Sequence, residues 1–203
     1  MKDAPPTSSS ATSSDESFWS AVAANDIGTA REFLEKDASL ATRDFRPEKV
    51  RRDAPYENRF PLLKACQEGH CEMAEILLEF GADIDCKSPT DEQRGLGWPV
   101  LTAVERGHFE LAHLLLDHGA DIRAHGYCSA SMVEEVYELA RGAGAPIEMV
   151  RKGFECYLGE VDLPPVAADA PEAVRLFDRV LRLGGRPSMD SIIYAGNYAL
   201  VEE

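Results

Sequence analysis

The chain has 203 residues, 44% of them hydrophobic and 28% charged, enough to bury a sizeable core in one domain or one repeat array. Its 36 acidic and 21 basic side chains leave a net charge of −15, which repels phosphate backbones and disfavours general nucleic-acid binding. No apolar stretch approaches a membrane span, and five cysteines (Cys66, Cys71, Cys86, Cys128, Cys156) without a C-x-x-C pair read as reduced thiols. Cytoplasm is the expected compartment, or also the nucleus in a eukaryotic source.

Residues 1–16, rich in Ser, Thr and Pro, are expected to be a disordered tail, with a folded domain over 17–203. A first helical pair is expected near 17–45, with Ser20-Ala21-Val22-Ala23-Ala24 before a turn at Asn25-Asp26 and Ala30-Arg31-Glu32-Phe33-Leu34 after it. The loop 41–59 that follows holds six basic and four acidic side chains, so a finger of net charge +2 projects from a body of −17. Two closely matched units come next, near 60–89 and 98–126. The run beginning at Pro61 and ending at His70 reappears at Pro99 to His108, 38 residues later. The same offset carries GADID at Gly81 onto GADIR at Gly119. Pro61 and Pro99 suit the first turn of a helix, and Gly69 and Gly107 suit a left-handed turn. Leu77, Leu78, Leu115 and Leu116 form the apolar stripe of a second helix. Such a hairpin cannot bury its apolar face alone, whereas a stack can.

Weaker copies extend the pattern. Gly184 lies 65 residues after Gly119, close to two repeat lengths of about 33, so one further unit is expected between them. That unit is placed near 131–160, with SMVEEVYELARGAG as its inner helix and APIEMVRKGFECYL as its outer helix. A fifth is placed near 163–187, and a partial sixth over 188–203. The sixth stops before its Leu-Leu and Gly-Ala positions, which suggests a fragment of a longer repeat protein.

The motif P-L-x-x-A-x-x-x-G-H-x-E-x-x-x-L-L-L-x-x-G-A-D-I, as read across these units, resembles the ankyrin repeat. The resemblance implies an all-α solenoid of five to six helix-turn-helix units, probed by partners at its concave face and hairpin loops. It implies non-covalent protein binding by a monomer, with no catalysis, cofactor, metal, membrane or nucleic-acid partner. The family's T-P-L-H signature is altered here: Phe60 and Trp98 stand at the Thr position, Leu63 and Leu101 at the His position. Phe60 and Trp98 have two readings, a hydrophobic staple on the following helix or an aromatic hot spot for a partner. Matching positions to the family implies further partner-binding residues: Tyr56, Arg51, Arg52 and Arg94 in the long loops, and Lys64, Gln67, Glu68, Thr102, Glu105 and Arg106 on the exposed side of the inner helices. His70 and His108 are expected to cap the outer helices.

No catalytic or metal-binding motif stands in the sequence. His108, His113 and His118 are spaced five apart, about 140° per step on a helix, and share no face. Cys66, His70 and Cys71 lack a second ligand pair at zinc-finger spacing. Gly142-Ala143-Gly144-Ala145 is followed by no Gly-Lys-Ser/Thr and reads as a turn. The expected function is a protein-interaction module for a basic partner. The alternative is a stoichiometric inhibitor or immunity-type protein that covers the active or nucleic-acid-binding surface of a basic enzyme or toxin.

Overall fold

A computed structural model describes residues 9–45, 60–86, 98–123, 131–145 and 165–187, with side chains from Ser14 onward. Among these residues the regular structure is helical. It comprises α1 (Ser9–Ala23), α2 (Ile27–Lys36), a 3₁₀ turn (Ala38–Ala41), α3 (Pro61–Glu68), α4 (Cys71–Glu79), α5 (Pro99–Glu105), α6 (Phe109–Asp117), α7 (Met132–Gly142) and α8 (Glu172–Arg182). The expected all-α repeat stack is therefore present. The tail expected over 1–16 is helical from Ser9 on, because extending a helix already anchored by buried Phe18 and Val22 costs little.

The helices form two rows. Inner helices α1, α3, α5 and α7 pack in succession, and outer helices α2, α4, α6 and α8 do the same behind them. One alanine per inner helix (Ala21, Ala65, Ala103, Ala140) is buried where the rows meet, and a larger side chain there would hold the helices apart. Leu62, Leu63, Met73, Leu77, Val100, Leu111 and Leu115 fill the space between hairpins. Each such side chain contributes about 1.5–3 kcal/mol by leaving water. At one end Phe18, Phe33, Trp19 and Phe45 pack ring against ring at 5.6–6.2 Å, and Arg43 ties Asp15 to Asp37 at 2.8 Å each.

Each hairpin reverses through the same device. A residue in the left-handed region follows the inner helix, namely Asn25, Gly69, Gly107 and Gly144. The next N–H then donates back to the buried alanine's carbonyl: Asp26 to Ala21, His70 to Ala65, His108 to Ala103 and Ala145 to Ala140, all at 2.8–2.9 Å. Pro61 and Pro99 open α3 and α5 as expected.

The fourth hairpin differs from the expected division. Helix α8 packs on α7 and lies beside α6 in the outer row. Tyr137 of α7 meets Phe177 of α8 at 5.7 Å, and Gly185 packs against Val133. Helix α8, expected within a unit near 163–187, thus stands in the outer row as the neighbour of both α7 and α6. The outer helix expected in 145–158 and the partial unit 188–203 lie outside the described residues. Residues 143–171 separate the two helices of this hairpin, against 69–70 and 106–108 in the two before it.

Gly69 and Gly107 offer a test of the turn. Both have positive φ, 76° and 77°, but a Cβ on Gly69 would lie 2.6 Å from the His108 ring, whereas Gly107 has open space. Gly107→Ala is expected to cost about 1 kcal/mol from backbone strain alone. Gly69→Ala should cost distinctly more, because the ring must also move. Urea denaturation of both variants, compared by midpoint, measures the difference.

Candidate functional site

The inner helices present one face to the next hairpin and another to solvent. On the solvent side lie Lys64, Gln67 and Glu68 of α3, with Glu105 and Arg106 at the end of α5. Lys64 Nζ donates to Glu68 at 2.7 Å, one turn apart, and this ion pair holds Glu68 below the usual carboxylate range. Thr102 departs from expectation. It is only 6% exposed, so it does not stand on the exposed side. It occupies the position of Lys64, but a threonine is too short to climb out between α5 and its neighbours, as a lysine stem does.

Glu105 at the end of α5 and Glu135 on α7 are like charges on neighbouring inner helices. Desolvation, and after it the carboxylate of Glu135 on α7, push Glu105 above the usual carboxylate range, with Arg106 opposing them. Neither carboxylate has an ion-pair partner among the described residues. From the sequence Glu134, Glu135 and Glu138 read as a helical charge run on a solvated face, and of these Glu134 is absorbed in a capping box with Ser131 at the start of α7. The pairing of Glu105 with Glu135 depends on how α5 and α7 stack, which no single-helix pattern reveals.

Phe60 and Trp98 sit at the N-cap positions of α3 and α5 in extended backbone. Both are half-buried and packed against the core, an environment that fits the staple reading. Phe60 also lines a cavity of about 180 Å³ with Ala41, Thr42, Leu62, Asp83 and Cys86. The roots of the loops are tied together: the Asp121 N–H donates to Asp85 Oδ1 at 3.1 Å, across two units. Arg51, Arg52, Tyr56 and Arg94 lie outside the described residues.

His70 and His108 occupy the N-caps of α4 and α6 but make no side-chain capping bond there. Each reaches back to the preceding hairpin instead. His70 Nε2 donates to the Ala23 carbonyl at 3.4 Å, and His108 Nε2 to the Gln67 carbonyl at 3.3 Å. Their expected capping role is thus corrected to cross-linking neighbouring turns. Burial holds His70 below the ordinary imidazole value; His108 adds to this and Glu68 opposes it. Cys66 is fully buried, and burial pushes its thiol well above the ordinary value, so it is packing rather than a nucleophile. Cys66, Cys71 and Cys86 are free thiols. Among the described residues no group of three His, Cys, Asp or Glu side chains could hold a metal, and no helix is long and apolar enough to cross a membrane.

At the first hairpin a shallow groove of about 780 Å³ is lined by Glu16, Ser17, Ser20, Ala21, Ala24, Asp26 and Thr29. Exposed Ser17 stands where Pro61 and Pro99 are buried by the preceding hairpin. The groove is thus the polar outer face of that hairpin, as the end of a stack requires.

A family model for ankyrin repeats matches residues 18–126 in three copies, more than half of the chain. No curated protein matches it.

Two outcomes follow from this geometry. Glu105→Gln should stabilise the fold at neutral pH by about 0.5 kcal/mol, a size set by exposure. A carboxylate held high in the folded state favours folding below about pH 4.3 and loses that benefit as pH rises through its folded value, so the gain should vanish in acid. Melting curves of the variant across pH read this directly. Trp98→Ala should lower stability by about 1–3 kcal/mol through lost burial, measured by the same melts.

Proposed function

Since the chain belongs to the ankyrin-repeat family, whose members are generally non-catalytic protein-interaction modules, we propose that it binds a basic protein segment along the solvent side of its inner helices and at its hairpin loops. The observation that supports this most is the Glu105–Glu135 pair. The carboxylate of Glu135 on α7 acts with burial to raise Glu105 on α5, and an Arg or Lys side chain of a partner placed near both would relieve that repulsion. Glu68 and Arg106 flank the pair, and Phe60, Trp98, Lys64, Gln67 and Thr102 stand in the same rows. Tyr56, Arg51, Arg52 and Arg94, in the segments of the sequence that join these hairpins, complete the proposed binding set. The net charge of −15 steers a basic partner towards it. A stack of packed hairpins loses little conformational entropy on docking.

The test is affinity capture from the source lysate at low and moderate salt, using the wild type and a Glu105→Lys/Glu135→Lys variant matched for melting temperature. A basic protein retained at low salt, released by salt, and lost by the variant is the expected result. Equal capture by the variant, or capture indifferent to salt, overturns the reading. The activity of the captured protein with and without the chain then separates an adaptor from an inhibitor.

A further inference from the structure

Helix α8 reaches its place after residues 143–171, and a polar clasp fastens it to α6. Arg179 Nη1 donates to His113 Nδ1 at 3.2 Å and to the His113 carbonyl at 3.1 Å. Its Nη2 pairs with Asp117, one turn further along α6. Nδ1 accepts a hydrogen bond only without a proton, so the clasp requires the neutral ring with its hydrogen on Nε2. We propose that this clasp is a proton-operated seam: acidification puts an N–H on Nδ1, faces it with a guanidinium, and loosens the fourth hairpin from the third while the first three stay stacked.

The surroundings favour such a response. Among the described residues the charged groups acting on the ring are Arg179, Arg175 and Glu172 of α8 and Asp117 of α6 itself. Burial, then Arg179, hold the clasped ring below the ordinary imidazole value, while Glu172 and Asp117 pull the other way. An opened ring titrates near its ordinary value of about 6.5. The clasped state therefore binds fewer protons, and its advantage is lost as pH falls from there through the lower value of the clasped ring. Leu176, Phe177, Val180 and Leu181 of α8 remain buried against the stack, so the seam changes the frequency of opening rather than undocking the helix outright.

Hydrogen exchange of the full chain, read by mass spectrometry at about pH 7.5 and about pH 5.5 and corrected for intrinsic rates, tests the proposal. Peptides of α8 should lose protection several-fold in acid relative to those of α3. His113→Asn, whose Oδ1 stands in for the Nδ1 acceptor and takes up no proton, should abolish the loss. His70→Gln should leave the α8 response unchanged, since that ring serves the first two hairpins. An α8 protection equal at both pH values, or the same loss in His113→Asn, overturns the proposal. Should His113→Asn fail to fold, the His113 titration followed by NMR in the wild type and in Arg179→Gln decides: an upward move in the variant supports the clasp, and an unchanged titration overturns it.

Discussion

The stack depends on one recurring hydrogen bond, from the N–H after each left-handed residue to the carbonyl of a buried alanine. It closes the turn at Ala21, Ala65, Ala103 and Ala140 with a spread of 0.1 Å. In the first three hairpins this tight reversal lays the second helix directly behind the first, and both apolar faces then point sideways at the neighbouring hairpins. The alanine has to be small for the rows to approach, and the left-handed residue has to be Gly, or Asn as at position 25, for the reversal to be unstrained. Everything else in the molecule is a relation between neighbours. The imidazoles of His70 and His108 reach back one hairpin, and Asp121 bonds to Asp85 across two loop roots. Arg31–Glu79 and Arg179–Asp117 link adjacent outer helices.

Because that hydrogen bond is local in sequence, the fold was largely legible. Gly-His turns and Gly-Ala-Asp blocks repeat at one offset, and the matched helices lie within a few residues of their expected places. What was not legible depends on distance along the chain. Counting from Gly119 to Gly184 does not show which helices pair across that interval. The distinguishing residues are Tyr137 and Phe177, which complement each other only once α7 and α8 are paired. Phe177 stands where the outer helices before it have Ala74 and Ala112, and on its own that looks like a departure from the repeat rather than half of a contact.

The candidate site shows the same division. Lys64, Glu68, Glu105 and Arg106 stand on the solvent side as the family resemblance implies, whereas Thr102, matched to the position of Lys64, is buried. Phase gives direction, but side-chain length decides whether a group in a narrow trough reaches water. Glu135 belongs to a run of glutamates that within α7 reads as a solvated face, and only the stacking of α7 on α5 makes its charge act on Glu105. The two histidines were placed at the right caps with the wrong partners, since a side chain at a helix start can turn either to its own helix or to the preceding turn. The missing Cβ of Gly69 settles that choice, because the His108 ring occupies the space where that atom would be.

These features distribute stability unevenly along the stack. Hairpins two and three are joined by buried apolar contacts, reciprocal turns and tied loop roots, all of which are indifferent to mild acid apart from the imidazoles. The junction between hairpins three and four carries an arginine whose acceptor is a histidine, and the like-charged Glu105–Glu135 pair spans the same junction on the inner side. One side of that junction gains from losing a proton and the other from gaining one. The two therefore pull in opposite directions with pH, on either side of a shared apolar core formed by Tyr137, Phe177 and Val180. A junction balanced in this way is where a bound cation or a change in acidity has most leverage, because neither needs to break the alanine-closed turns that hold each hairpin together.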